Sequence, residues 1–227
     1  MSATSVTRLA VRVEGVVQGV GFRPFVFRLA EEHGLAGFVR NDVHGVEIEV
    51  EGPRAEVERF VAALARRAPP LARVLRVDRH EVPPAGGDEF VIVASDAAGD
   101  PDALIAADAA TCPDCLAELL DPADRRHRYP FVNCTNCGPR FTIVRGVPYD
   151  RPLTTMAPFA MCAACAAEYE DPRDRRFHAQ PNACPECGPR ATLEGAAARP
   201  REDAVGAAAR LLRVGAIVAV KGLGGYH

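Results

Sequence analysis

The spacing of hydrophobic residues predicts a strand, a helix and two more strands at the start of the chain. Val6 to Glu14 alternates apolar and polar positions and is rich in β-branched side chains, which indicates a strand. Apolar residues then recur at helical spacing from Phe22 to Leu29, and Gly34 ends the predicted helix. Two further strands fit Ala36–Arg40 and Val46–Glu51, because a turn-prone segment joins them.

The next forty residues predict a second helix and the remaining strands. Gly52-Pro53 is a helix-start signal with proline at the first helical position, and Pro69-Pro70 ends the apolar stripe that follows. Val74–Val82 and Phe90–Ala94 are the last strands. The order βαββαβ is that of a ferredoxin-like sandwich, in which two helices cover one face of an antiparallel sheet. The first predicted domain is therefore α+β and spans residues 1–94.

Changes in composition divide the remainder of the chain. Residues 95–107 are small, acidic and weakly patterned, which is typical of a linker, and cysteine, arginine, proline and aspartate are prominent in residues 108–193. In residues 194–227 a second linker precedes a helix at Ala204–Leu212 and a buried strand at Ala216–Val220, which leads into a glycine-rich turn. Because domains seldom end inside such a turn, we expect the beginning of a further, truncated α/β domain there.

Eight cysteines form two copies of one pattern, fifty residues apart. Each copy has two CxxC pairs separated by 18 residues, and matching glutamate, Asp-Pro, Asp-Arg-Arg and Gly-Pro-Arg segments accompany both copies. Two such pairs complete a tetrahedral four-thiolate site, so the repeat predicts a zinc-ribbon or zinc-finger domain with two structural zinc ions. The predicted ligands are Cys112, Cys115, Cys134, Cys137, Cys162, Cys165, Cys184 and Cys187.

The sequence leaves other interpretations of the cysteines open. Disulfides, a redox-active CxxC or an iron–sulfur cluster would use the same residues, although four CxxC pairs in a repeat favour zinc. Pairing within each repeat is the simplest arrangement, but a nested one, first pair with fourth and second with third, has the same ligand set. His127 and His178 lie inside the loops. Because eight thiolates saturate two sites, we interpret both histidines as surface residues.

Charge and hydropathy exclude several classes of function. A net charge of −3 and a pI near 6.1 give no general attraction to nucleic acid or anionic membranes. Aspartates accompany the basic run Arg125–Arg128, which therefore predicts an internally paired, solvated loop rather than a nucleic-acid surface. The chain has no apolar run near the roughly 18 residues of a membrane span and no secretory signal at its start. We expect a cytoplasmic protein with reduced thiols.

A glycine-rich segment, Gly15–Arg23, joins the first predicted strand to the first helix and is called the glycine loop below. Glycines let successive backbone N–H groups turn toward one concavity at a helix N-terminus, and such a nest binds phosphate. Arg23 can add two charge-assisted hydrogen bonds. From spacing alone, a phosphate site and a turn without function are equally compatible with the loop.

The glycine loop resembles the acylphosphatase signature G-x-V-Q-G-V-G-F-R over its whole length, and Gly37–Asn41 is similar to that family's second motif. The resemblance covers residues 9–94 and implies hydrolysis of the mixed anhydride between a carboxyl-type group and phosphate. It implies that Arg23 holds the phosphoryl oxygens and that Asn41 orients the attacking water. The phosphate-binding backbone that it implies belongs to Val17, Gln18, Gly19, Val20 and Gly21.

The order of the parts resembles the HypF-type carbamoyltransferases, maturation factors for NiFe hydrogenases. Segments 128–140, 148–152, 174–181 and 218–227 carry this resemblance. The family's order is acylphosphatase-like, zinc-finger-like, YrdC-like and carbamoyl-transferring domains, which implies that this chain holds the first third. The resemblance implies carbamoyl phosphate as substrate, ATP and Mg for the domains that follow, and HypE as the protein partner. An acylphosphatase fold that only binds an anion or docks a partner, with structural zinc fingers, is the alternative.

Overall fold

Seven secondary-structure elements at the start of the chain build one sheet with two helices against it. The structure is a computed structural model and describes residues 6–195, 202–222 and 225–227. Alternate residues of the first strand, Leu9, Val11 and Val13, are buried in the core, as the period of a strand requires. The elements are β1 (Val6–Val16), α1 (Phe22–Glu32), β2 (Ala36–Asn41), β3 (Val46–Pro53), α2 (Arg54–Arg66), β4 (Arg73–Val82) and β5 (Phe90–Ile92).

The five strands lie in the order β4-β1-β3-β2-β5 across the sheet. The first four strands pair antiparallel, whereas β5 lies parallel to β2 at the sheet edge. The helices bury residues such as Val26, Leu29, Phe60 and Leu64 in the shared core. This architecture confirms the predicted α+β sandwich. Pro53 differs from the prediction, since it ends β3 with extended dihedral angles and α2 begins one residue later.

The cysteine-rich module (residues 108–193) is built from two short helices and turns. Helices α3 (Pro113–Leu120) and α4 (Ala163–Glu170) each begin directly after the first cysteine of a repeat. Two three-residue 3-10 turns, Phe141–Ile143 and Arg151–Leu153, lie between these helices. Strand pairing in the described part of this module is confined to isolated bridges. Each repeat is therefore a helix-and-turn finger rather than a β-ribbon.

The last described segments contain helix α5 (Ala204–Arg213), which the sequence predicts to within one residue. Its first turn is capped by the carboxylate of Asp203, which accepts a hydrogen bond from the N–H of Gly206 at 2.6 Å. The prediction of a buried strand at Ala216–Val220 is wrong, because these residues belong to no sheet and Ile217 is fully exposed. An apolar run becomes a buried strand only where neighbouring strands pair with it.

Some predictions concern residues outside the described ranges. These are Met1–Ser5 of the first domain, residues 196–201 of the second linker, and Leu223-Gly224 of the glycine-rich turn. Among the residues that the structure does describe, no helix combines the length and the hydropathy needed to cross a membrane.

Candidate active site and metal centres

The glycine loop turns the chain from β1 into α1 beside a cavity that Val17, Gly19 and Gly21 line. Gly19 and Gly21 have φ angles of 70° and 74°, in the left-handed region that residues with a side chain seldom adopt. Gly21 is the N-cap of α1 and supplies no side-chain cap. The first N–H groups of the helix therefore lack intrahelical acceptors, and they lie at the positive end of its dipole. An anion bound at this position would accept hydrogen bonds from these N–H groups and be stabilised by the helix dipole.

Arg23 lies in the first turn of α1, and the residue is only 8% exposed. Its guanidinium donates to the hydroxyl of Ser95 at 3.2 Å and to the carboxylate of Asp150 at 2.7 Å. Asp150 belongs to the cysteine-rich module, so the arginine already faces an anionic oxygen from a segment 127 residues away. A phosphoryl group offers the same kind of acceptor.

Asn41 ends β2 and is 1% exposed, yet its amide is not hydrogen-bonded. Neither its Nδ2 nor its Oδ1 has a partner among the residues that the structure describes. An unsatisfied buried polar group costs about 1–3 kcal/mol, so such groups are rare outside functional sites. The amide can serve a small polar ligand such as a water molecule.

Gln18 is equally buried but has a structural role in the loop. Its Nε2 donates to the carbonyl oxygens of Asp42 and Gly45 at 2.7 and 2.8 Å. Its Oε1 accepts a hydrogen bond from the backbone N–H of Tyr149 at 2.7 Å. The Gln18 side chain thus fixes the loop to the β2–β3 turn on one side and to the cysteine-rich module on the other.

Arg23 and Asn41 line one small cavity together with the glycine loop, and the cysteine-rich module covers it. Tyr149, His178 and Gln180 of that module form part of the wall. The cavity volume available to the centre of a water molecule is about 20 Å³, which is enough for about one water molecule. The sequence motifs place the site in the first domain alone and do not identify these three residues. Their segments carry a family resemblance, but no periodicity or ligand spacing relates them to the loop.

His178 is a half-buried residue of this cavity wall, and its interpretation as a surface histidine is wrong. Its ring packs against Tyr169 and Phe177, with centroids 5.0 and 4.6 Å away. Burial, and then the charge of Arg23, lower the pKa of His178 to about 4. The imidazole is therefore neutral at pH 7. Neither His178 nor His127 belongs to a metal-binding group within the described ranges.

The four cysteines of each repeat converge into one cluster, so the structure pairs the CxxC motifs within repeats. Sulfur–sulfur distances in the first cluster include 3.7 and 3.9 Å, and those in the second include 3.6, 3.7 and 3.8 Å. A tetrahedron of thiolates 2.3 Å from zinc has edges of about 3.8 Å, so both clusters fit the ion. We call them the first metal site (Cys112, Cys115, Cys134 and Cys137) and the second metal site (Cys162, Cys165, Cys184 and Cys187).

Each repeat sends a buried arginine into the other repeat. Arg126 is 1% exposed and donates to the carboxylate of Glu168 at 2.9 Å, while Arg176 reaches Glu118 in the same way. Burial alone would raise the pKa of Glu168, but hydrogen bonds from Arg126 and Arg125 lower this pKa to about 2. The basic run is thus paired, as predicted, but Arg125 and Arg126 pair with the opposite repeat and Arg128 pairs with Asp203. Arg126 is buried and so differs from the predicted solvated loop, whereas Arg125 and Arg128 are exposed.

The neighbouring arginines donate to metal-site sulfurs across the same interface. Arg125 approaches the Sγ of Cys165 at 3.3 Å, and Arg175 approaches the Sγ of Cys115 at 2.9 Å. Four thiolates on one zinc ion leave a net charge near −2, which such donors partly neutralise. Each metal site is therefore surrounded by charged groups of the other repeat.

Comparisons with known proteins agree with this division of the chain. Residues 9–92 match the acylphosphatase family model, and residues 111–144 and 161–194 match that of the HypF finger. The chain is 54% identical over 226 residues to the carbamoyltransferase HypF2 of Cupriavidus necator. This match covers 97% of this chain and 28% of that relative. The chain is also 44% identical over 85 residues to the acylphosphatase of Thermotoga maritima, and this match covers 37% of this chain and 93% of that protein.

A solved structure shares the fold of nearly the whole chain. It is full-length HypF in the phosphate- and nucleotide-bound form, which matches with a TM-score of 0.95 and 44% identity. The match covers 99% of this chain and 30% of that one. The chain thus spans less than a third of the length of the two HypF proteins.

Proposed function

The chain belongs to the HypF carbamoyltransferase family, and on that premise we propose that its acylphosphatase domain hydrolyses carbamoyl phosphate to carbamate and phosphate. The observation that carries the proposal is the meeting of Arg23 and Asn41 in one cavity. One supplies a buried cation, and the other supplies an amide with two unpartnered polar atoms. Phosphoryl transfer requires mainly such charge stabilisation and positioning of the nucleophile.

Substrate binding would use the glycine loop and Arg23 together. The phosphoryl oxygens occupy the concavity formed by the backbone N–H groups of Gln18 to Gly21 and the first turn of α1. Val17 belongs to the predicted set, but its N–H already donates to the carbonyl oxygen of Gly15 at 3.1 Å. Arg23 then exchanges the carboxylate of Asp150 for phosphoryl oxygens, which carry more negative charge. Repulsion between Asp150 and the bound phosphoryl group favours this exchange, because two like charges in a poorly hydrated site repel strongly.

Hydrolysis would follow with Asn41 as the residue that positions water. Its Oδ1 accepts a hydrogen bond from the water and directs the water oxygen at phosphorus. The new bond to phosphorus forms as the bond to the bridging oxygen breaks, and that oxygen leaves on the carbamate. The water proton passes to a phosphoryl oxygen. Because carbamate is a good leaving group, the step requires no strong protein base.

Each metal site would hold one zinc ion with a structural role. The sulfur geometry fits zinc, and four thiolates leave no coordination position for water. When bound, the ion cross-links the start of a helix to the second CxxC turn in each repeat. Structural zinc contributes on the order of 10 kcal/mol to the folding of such small units.

The fate of the carbamate belongs to the whole protein. We propose that carbamate displaces pyrophosphate from Mg-bound ATP on residues outside this chain to give carbamoyl adenylate, and that HypE receives the carbamoyl group in the cytoplasm as AMP leaves. Residues 1–94 would be the hydrolytic domain and residues 108–193 the zinc-binding connector. Residues 194–227 would lead into the nucleotide-binding domain.

Phosphate release from carbamoyl phosphate tests the hydrolytic step on the zinc-loaded 227-residue chain. Arg23→Ala and Asn41→Ala are each expected to lower kcat/KM by about 100-fold, because each removes a preorganised polar group from the site. Arg28→Ala is the matched control, since Arg28 lies on the exposed face of the same helix. Wild-type rates in both site variants would refute the assignment.

The alternative function is anion binding or docking without turnover. The ion pair between Arg23 and Asp150 is the observation that favours it, because the pair closes the site. Under this alternative, the wild-type chain binds inorganic phosphate but releases none from carbamoyl phosphate.

A further inference from the structure

We propose that Arg140 is a positioning residue that couples the first metal site to the glycine loop, so that this metal site supports phosphate binding. The inference rests on the proposed function of the loop as a phosphoryl site. It concerns a residue of the cysteine-rich module that lies outside the predicted catalytic set.

Arg140 is 1% exposed, and carbonyl oxygens accept from all of its guanidinium nitrogens. Its Nη1 donates to the carbonyls of Cys137 and Pro139 at 2.9 and 2.8 Å, and its Nη2 donates to those of Cys134 and Thr135 at 2.8 and 3.0 Å. These carbonyls belong to the second CxxC turn of the first metal site and the residues next to it. The remaining donor, Nε, contacts the carbonyl oxygen of Gly19 in the glycine loop.

This contact fixes the orientation of one peptide group in the loop. A trans peptide unit is planar, and its C=O and N–H point in opposite directions. When the carbonyl of Gly19 points to Arg140, the N–H of Val20 must point away from Arg140. The peptide cannot rotate without breaking a charge-assisted hydrogen bond. Arg140 therefore holds one of the proposed phosphate donors in a single orientation.

The first knuckle (Cys134–Cys137) also packs directly against the loop glycines. A Cβ atom added to Gly21 would lie 3.0 Å from the Cβ of Thr135 in the knuckle. One added to Gly19 would lie 3.1 Å from the ring of Tyr149 and 3.2 Å from the Cδ of Arg140, which both follow the knuckle in the chain. No side chain fits between the knuckle and the loop. The metal that orders this knuckle consequently orders the outer wall of the phosphate site.

The second repeat provides a natural control for this arrangement. Gly138-Pro139-Arg140 and Gly188-Pro189-Arg190 are equivalent by the fifty-residue offset. Arg190, however, is exposed, whereas Arg140 is buried. The same sequence motif therefore links the loop in one repeat and faces solvent in the other.

The test compares Arg140→Ala with Arg190→Ala in the 227-residue chain. Three quantities are measured for each: zinc per chain by atomic emission spectroscopy, KM and kcat for carbamoyl phosphate, and the Kd of inorganic phosphate by titration calorimetry. Arg140→Ala should retain two zinc ions and raise both KM and the phosphate Kd about 10-fold, with a smaller change in kcat. Arg190→Ala should match the wild type.

Two zinc ions with an unchanged phosphate Kd in Arg140→Ala would overturn the proposal. If that variant loses zinc, Arg140→Lys decides. Lysine keeps a charge beside the knuckle carbonyls but cannot reach the knuckle and Gly19 at once. A raised Kd with two zinc ions then supports the link, and a wild-type Kd overturns it. The calorimetric result stands even if the wild type hydrolyses nothing, so it is separate from the hydrolytic proposal.

Discussion

Replacement of Asn41 by alanine should inactivate the site and stabilise the protein at the same time. Most buried-residue truncations destabilise, so this combination separates a functional residue from a structural one. The prediction follows from the two side-chain atoms of Asn41 that have no hydrogen-bond partner in the described chain. Removing them removes a desolvation cost that the folded protein otherwise carries.

The expected magnitude is a net gain of about 1 kcal/mol. Each unsatisfied buried polar atom costs about 1–3 kcal/mol. The adjacent cavity holds about one water molecule, which would satisfy one of the two atoms, so one penalty of that size remains. Truncation to alanine loses packing contacts worth about 1 kcal/mol. A gain of this size corresponds to a rise in Tm of about 2–4 °C for a protein of this length.

Thermal unfolding with saturating zinc, measured beside phosphate release, provides the assay. Gln18→Ala is the matched control, because Gln18 is an equally buried amide whose donors and acceptor are hydrogen-bonded. Its truncation leaves backbone groups unpaired and should lower Tm. A fall in Tm for Asn41→Ala similar to that for Gln18→Ala would refute the reasoning. Asn41 would then be a structural residue whose loss inactivates by unfolding.

Three further predictions concern the cysteine-rich module and the cavity. Arg126→Ala should weaken the second metal site rather than its own, because it removes the hydrogen bonds from Arg126 to Glu168, to Asn182 and to the carbonyl of Ala183 and leaves Arg125 as the nearest partner of Glu168, at a cost of about 1–3 kcal/mol. Alkylation mapped by mass spectrometry should find Cys165 reactive first, and the same change at the exposed Arg128 should have no such effect. The pKa of His178 is lowered to about 4, so the neutral imidazole stabilises the fold above pH 6.5, and this contribution of about 3 kcal/mol is lost as the pH falls toward 4. His178→Asn should flatten that part of the stability–pH profile, because asparagine tolerates the positive φ at this position but does not titrate there. An unchanged slope in this variant would contradict the burial argument. Because the cavity has room for about one water molecule, the cover must move before any acyl phosphate binds, and a larger acyl group requires a larger movement. Acetyl and carbamoyl phosphate should therefore be hydrolysed with a higher kcat/KM than benzoyl phosphate, and equal values for all three would show that the cover does not limit the size of the acyl group.

The sequence predicts those parts of the structure that repeat locally. The strands of the sheet and helices α1 and α2 follow from apolar periods, since one face of each element is buried. The glycine loop follows from a continuous motif at a strand-to-helix junction. The metal clusters follow from ligand spacing, although spacing alone leaves a nested pairing open beside the simpler pairing within each repeat. Only the three-dimensional path of the chain distinguishes the two pairings.

Contacts between the modules could not be predicted, because they join residues far apart in sequence. Arg23 and Asp150 are 127 residues apart, and Gln18 and Tyr149 are 131 residues apart. Each contact uses an ordinary polar residue in a loop, which no period or spacing distinguishes from a solvated one. The buried position of Arg126 escaped prediction for the same reason, since the aspartates beside it in sequence suggested nearer partners.

The two repeats retain their symmetry at some positions and lose it at others, and this difference separates folding from function. Arg126 and Arg176 are equivalent, and both are buried and paired with the opposite repeat. Such reciprocal contacts stabilise the module as a unit, and substitutions there should act on metal retention. Arg140 and Arg190 are also equivalent in the two repeats, but Arg140 contacts Gly19 whereas Arg190 is exposed. Because the motif is the same in both repeats, the different burial of Arg140 and Arg190 must result from what surrounds each residue, and Arg140 lies beside the glycine loop. Substitutions at such positions should act on phosphate binding while both metal sites remain filled.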